Sequence, residues 1–163
     1  MDVKIAIKIL NKWSDILSNN SDNAVKLFKE GYNCSQSVFI AYCEELGLDR
    51  DMALRLSSSF GGGMGKLREV CGAVSGMFMV AGLKCGYSDP NDKALKQKHY
   101  ELIQKLAQRF KEENRSIVCR ELLGLDVHHD KPVPEARTAE YYKKRPCAEL
   151  VRCAAEIIEE VLK

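Results

Sequence analysis

The 163-residue chain has no Cys-x-x-Cys pair, no apolar segment of membrane-spanning length and no convincing strand-like alternation of apolar and polar residues. Structural zinc knuckles take paired ligands from Cys-x-x-Cys, so that architecture is not expected. Cys-x-x-Cys-His is missing too, which argues against covalent c-type haem. The longest apolar run, Met77 to Leu83, falls far short of the ~20 residues that cross a bilayer. Met1 to Leu17 is interrupted by Asp2, Lys4, Lys8, Lys12 and Asp15, leaving no apolar h-region of a secretory signal. A formal net charge of +2 gives no reason to expect nucleic acid or an anionic membrane as partner. The expected location is cytoplasmic.

What is present is helical periodicity. Ile5, Ile9, Trp13 and Ile16 form an apolar stripe. Ser21 or Asp22 is expected to cap a second helix that buries Ala24, Val25 and Phe28 and stops at Gly31. Asn33 caps a third, Cys34 to Leu46, apolar on most sides and hence central. Asp49 opens a short helix to about Ser58. Glu69 to Lys84 reads as a second central helix, and Asp89-Pro90 as the start of a long amphipathic one through Leu102, Leu106 and Phe110. Ser116 is expected to start a short helix ending at Gly124. Val127 to Pro134 is a loop, and Pro146 opens the last helix. The expected fold is all-α: a single domain over residues 1–163, a bundle of six to eight helices.

Seven cysteines are many for a chain without an export signal, and an odd number in a reducing compartment is a poor disulfide framework. Their positions divide them. Cys34, Cys71, Cys119 and Cys147 sit in or near first helical turns, where free N–H groups and the helix dipole favour the thiolate that binds metal or attacks a disulfide. Cys43 is half a turn round its helix from Cys34, Cys85 lies ~21 Å along a helix from Cys71, and Cys153 is about 120° from the face of Cys147. These three are expected to be structural.

Cys71 is set among small residues, Cys71-Gly72-Ala73-Val74-Ser75-Gly76, directly after Phe60-Gly61-Gly62-Gly63-Met64-Gly65. The glycine run fails as a phosphate loop at both ends: position 60 is Phe, and Gly65-Lys66 is followed by Leu67. It reads instead as a tight turn that brings backbone close to a site, with Gly62, Gly63 and Gly72 leaving room for a cofactor. Lys66 and Arg68 are expected mainly to be solvated. His128, His129 and Asp130 read as loop, Met64, Met77 and Met79 as packing, and Tyr32, Tyr141 and Tyr142 as aromatics without a site of their own.

With Gly31-Tyr32-Asn33-Cys34-Ser35-Gln36, the glycine run, the Cys71 segment, Cys119-Arg120-Glu121-Leu122-Leu123-Gly124 and Cys147, the chain resembles the C_GCAxxG_C_C family over residues 20–162. That family of small redox-active proteins is named for its cysteine pattern, and its four characteristic cysteines fall on Cys34, Cys71, Cys119 and Cys147. A relative similar in pattern, the C-terminal part of split-Soret cytochrome c, carries a [2Fe–2S] cluster on four cysteines. By that resemblance the same four would ligate an Fe–S cluster here, for electron transfer or redox sensing. Four thiolates also suit zinc, and a metal-free thiol–disulfide pair with Cys71 as nucleophile stays open, as does a helical interaction protein with all its cysteines in the core. The expected partner is a redox protein of unidentified kind. Oligomeric state is open, with a homodimer among the candidates.

Overall fold

The computed structural model describes residues 20–162. The stripe Ile5, Ile9, Trp13 and Ile16 lies outside the described residues. Helix α1 spans 20–29 and buries Ala24, Val25, Leu27 and Phe28. Ser21 and Asp22, expected as caps, lie inside this helix; Ser21 is buried and Asp22 pairs with Arg152 at 2.7 Å. After Gly31, at φ 107°, come α2 (Cys34–Cys43), α3 (Arg50–Ser58), the single turn α4 (Gly61–Met64), α5 (Gly72–Cys85), α6 (Lys93–Asn114), the turn α7 (Cys119–Leu122), α8 (Ala139–Lys144) and α9 (Cys147–Val161). The class is all-α as expected. Among the described residues the sole sheet-like feature is one isolated antiparallel bridge, Val70 with Val118.

Helix α2 is central because it is apolar all round: Val38, Phe39, Ile40, Ala41, Tyr42 and Cys43 are all buried. It packs against α3, α5 and α9, most extensively against α5. Close approach of these two needs glycine. A Cβ on Gly76 would sit 2.8 Å from the Ser35 carbonyl oxygen, and one on Gly72 would sit 3.1 Å from Cys34 Cβ. Met77 and Val80 of α5, Leu106 and Phe110 of α6, and Val151, Ile157 and Ile158 of α9 complete one core. Each such side chain contributes about 1.5–3 kcal/mol of transfer free energy. The Tyr42 hydroxyl donates to the Ala155 carbonyl at 2.8 Å, tying α2 to α9.

Three further helix starts differ from expectation, each for a local reason. Helix α5 begins at Gly72 rather than Glu69, since Glu69, Val70 and Cys71 are held extended against Ile117, Val118 and Cys119: Cys71 N–H donates to Ile117 O at 2.8 Å and Cys119 N–H to Glu69 O at 2.6 Å. Helix α6 is capped by Asp92, whose carboxylate accepts from Leu95 N–H, while Asp89 turns back onto Asn91. Helix α7 follows Val118; Ser116 instead accepts from Val118 N–H two residues on and pairs with Glu121.

Candidate functional site

Four segments deliver the four helix-start cysteines to one place. Asn33 forms a capping box with Gln36: its side chain accepts from Gln36 N–H at 2.9 Å, and its own N–H donates to the Gln36 side chain at 3.1 Å. This fixes Cys34 as the first residue of α2. Cys71 is the N-cap of α5. Cys119 is the first residue of α7, one place beyond the bridge, so Cys71 and Cys119 lie diagonally across the paired segment on the same face. Cys147 opens α9 after Pro146.

Cys34, Cys71, Cys119 and Cys147 line a single cavity of about 60 Å³, together with Gly62, Gly63 and Gly72. That exceeds the ~10–15 Å³ a single water needs. Cys71, Cys119 and Cys147 are buried and Cys34 is partly so. The other three cysteines are elsewhere. Cys43 is fully buried in the core, Cys153 packs against α6, where Asn114 donates to its sulfur at 3.2 Å, and Cys85 is exposed at the end of α5. Among the described residues, no three His, Cys, Asp or Glu side chains are gathered as a ready-made site for one metal ion.

The glycine run makes the floor of this cavity by winding the wrong way. Gly62, Gly63, Met64, Gly65 and Lys66 are consecutive residues at φ between 63° and 69°, a left-handed turn that costs about 1–2 kcal/mol per residue with a side chain. Glycine removes most of that cost and all of the bulk: a Cβ on Gly63 would lie 2.5 Å from Cys119 Cβ.

First-turn placement was expected to favour thiolate at all four cysteines. It fails at three, through burial at Cys71 and Cys119 and first through a hydrogen bond at Cys34. Cys71 is pushed up to about 12 by burial, against the pull of the Ala73 and Val74 N–H groups. Burial also raises Cys119, although Arg68 works against it. Cys34 is raised well above the ordinary thiol value, first because its thiol is the hydrogen-bond partner of Cys147 and then by burial. Cys147 alone is lowered, by that hydrogen bond first and then by Arg145, Arg137 and Arg68 against the opposing effect of burial. Within this pair the proton is therefore held more tightly on Cys34 than on Cys147.

The cationic surroundings were not legible as such. Arg68 was expected to be solvated, yet it is 3% exposed: Nη1 lies 3.8 Å from Cys119 Sγ and Nη2 donates to Asp130 at 2.7 Å. Asp130 thus serves the site through Arg68, while His128 and His129 are exposed. Tyr141, given no site from the sequence, lines the cavity with Arg137 and Arg145, whose guanidinium carbons lie 4.8 and 5.1 Å from its ring centroid. The available signal was the four-residue spacing of Arg137, Tyr141 and Arg145.

Among the described residues, no helix is long and apolar enough to cross a membrane. Comparison with the curated proteins and with the solved structures finds no match. A family model does match, over residues 32–161, a span that contains all four cavity cysteines. The chain belongs to the family described as "Putative redox-active protein (C_GCAxxG_C_C)".

Proposed function

We propose that Cys34, Cys71, Cys119 and Cys147 hold an Fe–S cluster, of the [2Fe–2S] type, and that the protein serves electron transfer or redox sensing. The observation that carries this reading is the convergence of four thiols from four helix starts on one cavity walled by glycine. The donor set fits, since thiolates are the usual cluster ligands. The thiols also pair off, Cys34 with Cys147, each shifting the ionisation of the other, and Cys71 with Cys119 across the bridge. Two pairs suit a two-iron centre with two thiolates on each metal, better than one zinc with four thiolates at a common ~2.3 Å. Bound there, the cluster would supply a one-electron redox centre.

The protein's own contribution is electrostatic. The Ala73 and Val74 N–H groups turn toward Cys71 and Arg68 toward Cys119, and donors to sulfur of this kind set cluster potentials. Visible absorption of anaerobically purified protein tests the reading: a band that bleaches on reduction, with iron and sulfide present, supports it. Colourless protein with one tightly bound zinc sinks it.

A second reading draws on the opposite shifts of neighbouring Cys34, raised, and Cys147, lowered. A lowered thiol beside a protonated one is the arrangement of a thiol–disulfide pair. This replaces Cys71 as the expected nucleophile, because burial raises Cys71 to about 12. A reversible Cys34–Cys147 disulfide in metal-free protein, with no cluster formed on reconstitution, would favour it.

A further inference from the structure

Outside the cysteine cavity lies a second space, an open cleft of about 540 Å³ that shares Gly62, Arg68, Arg137, Tyr141 and Arg145 with it. Four cations reach this cleft: Lys66, Arg68, Arg137 and Arg145. Two carboxylates answer them. Asp130 takes Arg68 at 2.7 Å and Lys66 at 3.6 Å. Glu135 accepts twice from Arg145 Nη2, at 2.6 and 2.8 Å, with Lys66 and Arg68 at 3.9 and 3.8 Å.

Arg137 is left over. Among the described residues it has no carboxylate partner. Its guanidinium carbon sits 4.5 Å from the Phe28 ring centroid and 4.8 Å from that of Tyr141. Nη2 donates to the Tyr32 carbonyl at 3.4 Å, and Nη1 is buried with no hydrogen-bond partner among the described residues. Arg145 lies over the same Tyr141 ring, at 5.1 Å.

We propose that this cleft binds a small molecule through an oxyanion headgroup, a carboxylate or a phosphate, with Arg137 as the principal anchor. A buried donor without an acceptor is costly, and two guanidinium groups on one ring repel each other. An oxyanion between the two groups relieves that repulsion, and it offers Nη1 an acceptor once the guanidinium turns toward the cleft. The rings fix the plane of Arg137 in advance, which suits the two-pronged hydrogen bonding that arginine offers carboxylate and phosphate. The cleft is of small-molecule size rather than that of a bare ion, and Pro132 and Pro134 on its wall give the rest of the ligand an apolar surface. Arg137 borders both spaces, so the headgroup binds beside the four thiols. The proposal does not depend on what those thiols hold.

Titration of reduced, metal-free protein with inorganic phosphate and with malonate, followed by amide NMR, tests this. Saturable shifts at Gly62, Lys66, Arg137 and Tyr141 are expected, and the probe that binds more tightly identifies the headgroup. Arg137→Gln should weaken that probe about ten- to a hundredfold, while Arg109→Gln, remote on α6, leaves it unchanged. Lys66→Gln, which alters an ammonium on the cleft wall, provides the same comparison with a smaller loss if Arg137→Gln does not keep a native spectrum. Shifts that never saturate, shifts spread over basic residues such as Arg109, or affinity unchanged in both cleft variants would overturn the proposal.

Discussion

Arg68 bridges Cys119 and Asp130: one guanidinium nitrogen lies 3.8 Å from the Cys119 sulfur and the other 2.7 Å from the Asp130 carboxylate. A cation 3% exposed is retained there because a carboxylate from a distant loop neutralises it and a thiol receives its remaining field. Arg68→Gln should therefore raise the Cys119 thiol further and slow its alkylation at a given pH, as followed by mass spectrometry. Asp130→Asn should lower the thermal midpoint, because the buried guanidinium loses its nearer carboxylate and keeps only Glu135 at 3.8 Å while the thiol contact persists. An unchanged Cys119 rate in Arg68→Gln would show that burial alone governs this thiol.

Glycine substitutions separate the cavity floor from ordinary helix. Gly63→Ala meets Cys119 Cβ at 2.5 Å and keeps a φ of 69°, so overpacking and left-handed strain act together. A loss of about 2–5 kcal/mol in urea denaturation is expected. Gly82→Ala, inside α5 with nothing within 4 Å, should instead gain about 0.5–1 kcal/mol. Similar effects at the two positions would mean that the turn is not held against Cys119.

The opposite shifts of Cys34 and Cys147 predict an order of thiol reactivity. In reduced, metal-free protein near neutral pH, Cys147 should be alkylated before Cys34, Cys71 and Cys119, with exposed Cys85 reacting as an internal reference. Cys147→Ala removes the hydrogen-bond partner that contributes most to the raised value of Cys34, so Cys34 should then ionise more readily. Mild oxidation of the native metal-free chain should link Cys34 to Cys147 in preference to Cys71 or Cys119.

Stability should fall at both ends of the pH scale. Asp130 is held at about 2, first by the Arg68 hydrogen bond. Its folded value is depressed, so the unfolded chain binds more protons in that range, and its contribution, present above the ordinary carboxylate value, is lost as pH falls through about 4 to about 2. Cys71 and Cys153 are raised to about 12 by burial. Their contribution is complete below the ordinary thiol value near 9 and is lost as pH rises toward 12. Urea midpoints of metal-free protein against pH should show both limbs, and Cys153→Ala should flatten the alkaline one.

The helices that bury apolar faces were legible in the sequence because periodicity reports burial directly: α2 and α5 are the central pair, and α9 carries the stripe from Cys147 to Ile158. Cys34 and Cys147 were legible as helix-start thiols because each carries a local mark, the Asn33 cap and Pro146, whereas Cys119 was placed from a Ser116 cap that does not form and Cys71 from its glycine setting. The arginines left no such mark. Arg68, Arg137 and Arg145 resemble any solvated charge until the segment between α7 and α8, which has no periodicity, folds back and sets Asp130 and Glu135 against them. Cap positions failed for a related reason. Ser116, Asp89 and Ser21 each have the chemistry of a cap, but the bridge at Val118, the turn at Asp89 and the packing of Ser21 decided otherwise. The expected thiolates failed at Cys71 and Cys119 because first-turn dipoles are weak beside desolvation, and at Cys34 because Cys147 takes the favoured ionisation.

The central claim is that four particular thiols act as one ligand set. Its most direct test is iron and acid-labile sulfide content, with visible absorption, for anaerobically reconstituted wild type and each single Cys→Ser variant. The account predicts bound iron and sulfide in the wild type and in Cys43→Ser, Cys85→Ser and Cys153→Ser, with loss or marked depletion in Cys34→Ser, Cys71→Ser, Cys119→Ser and Cys147→Ser. Retention of the full content in Cys71→Ser, or its loss in Cys153→Ser alone, would contradict it.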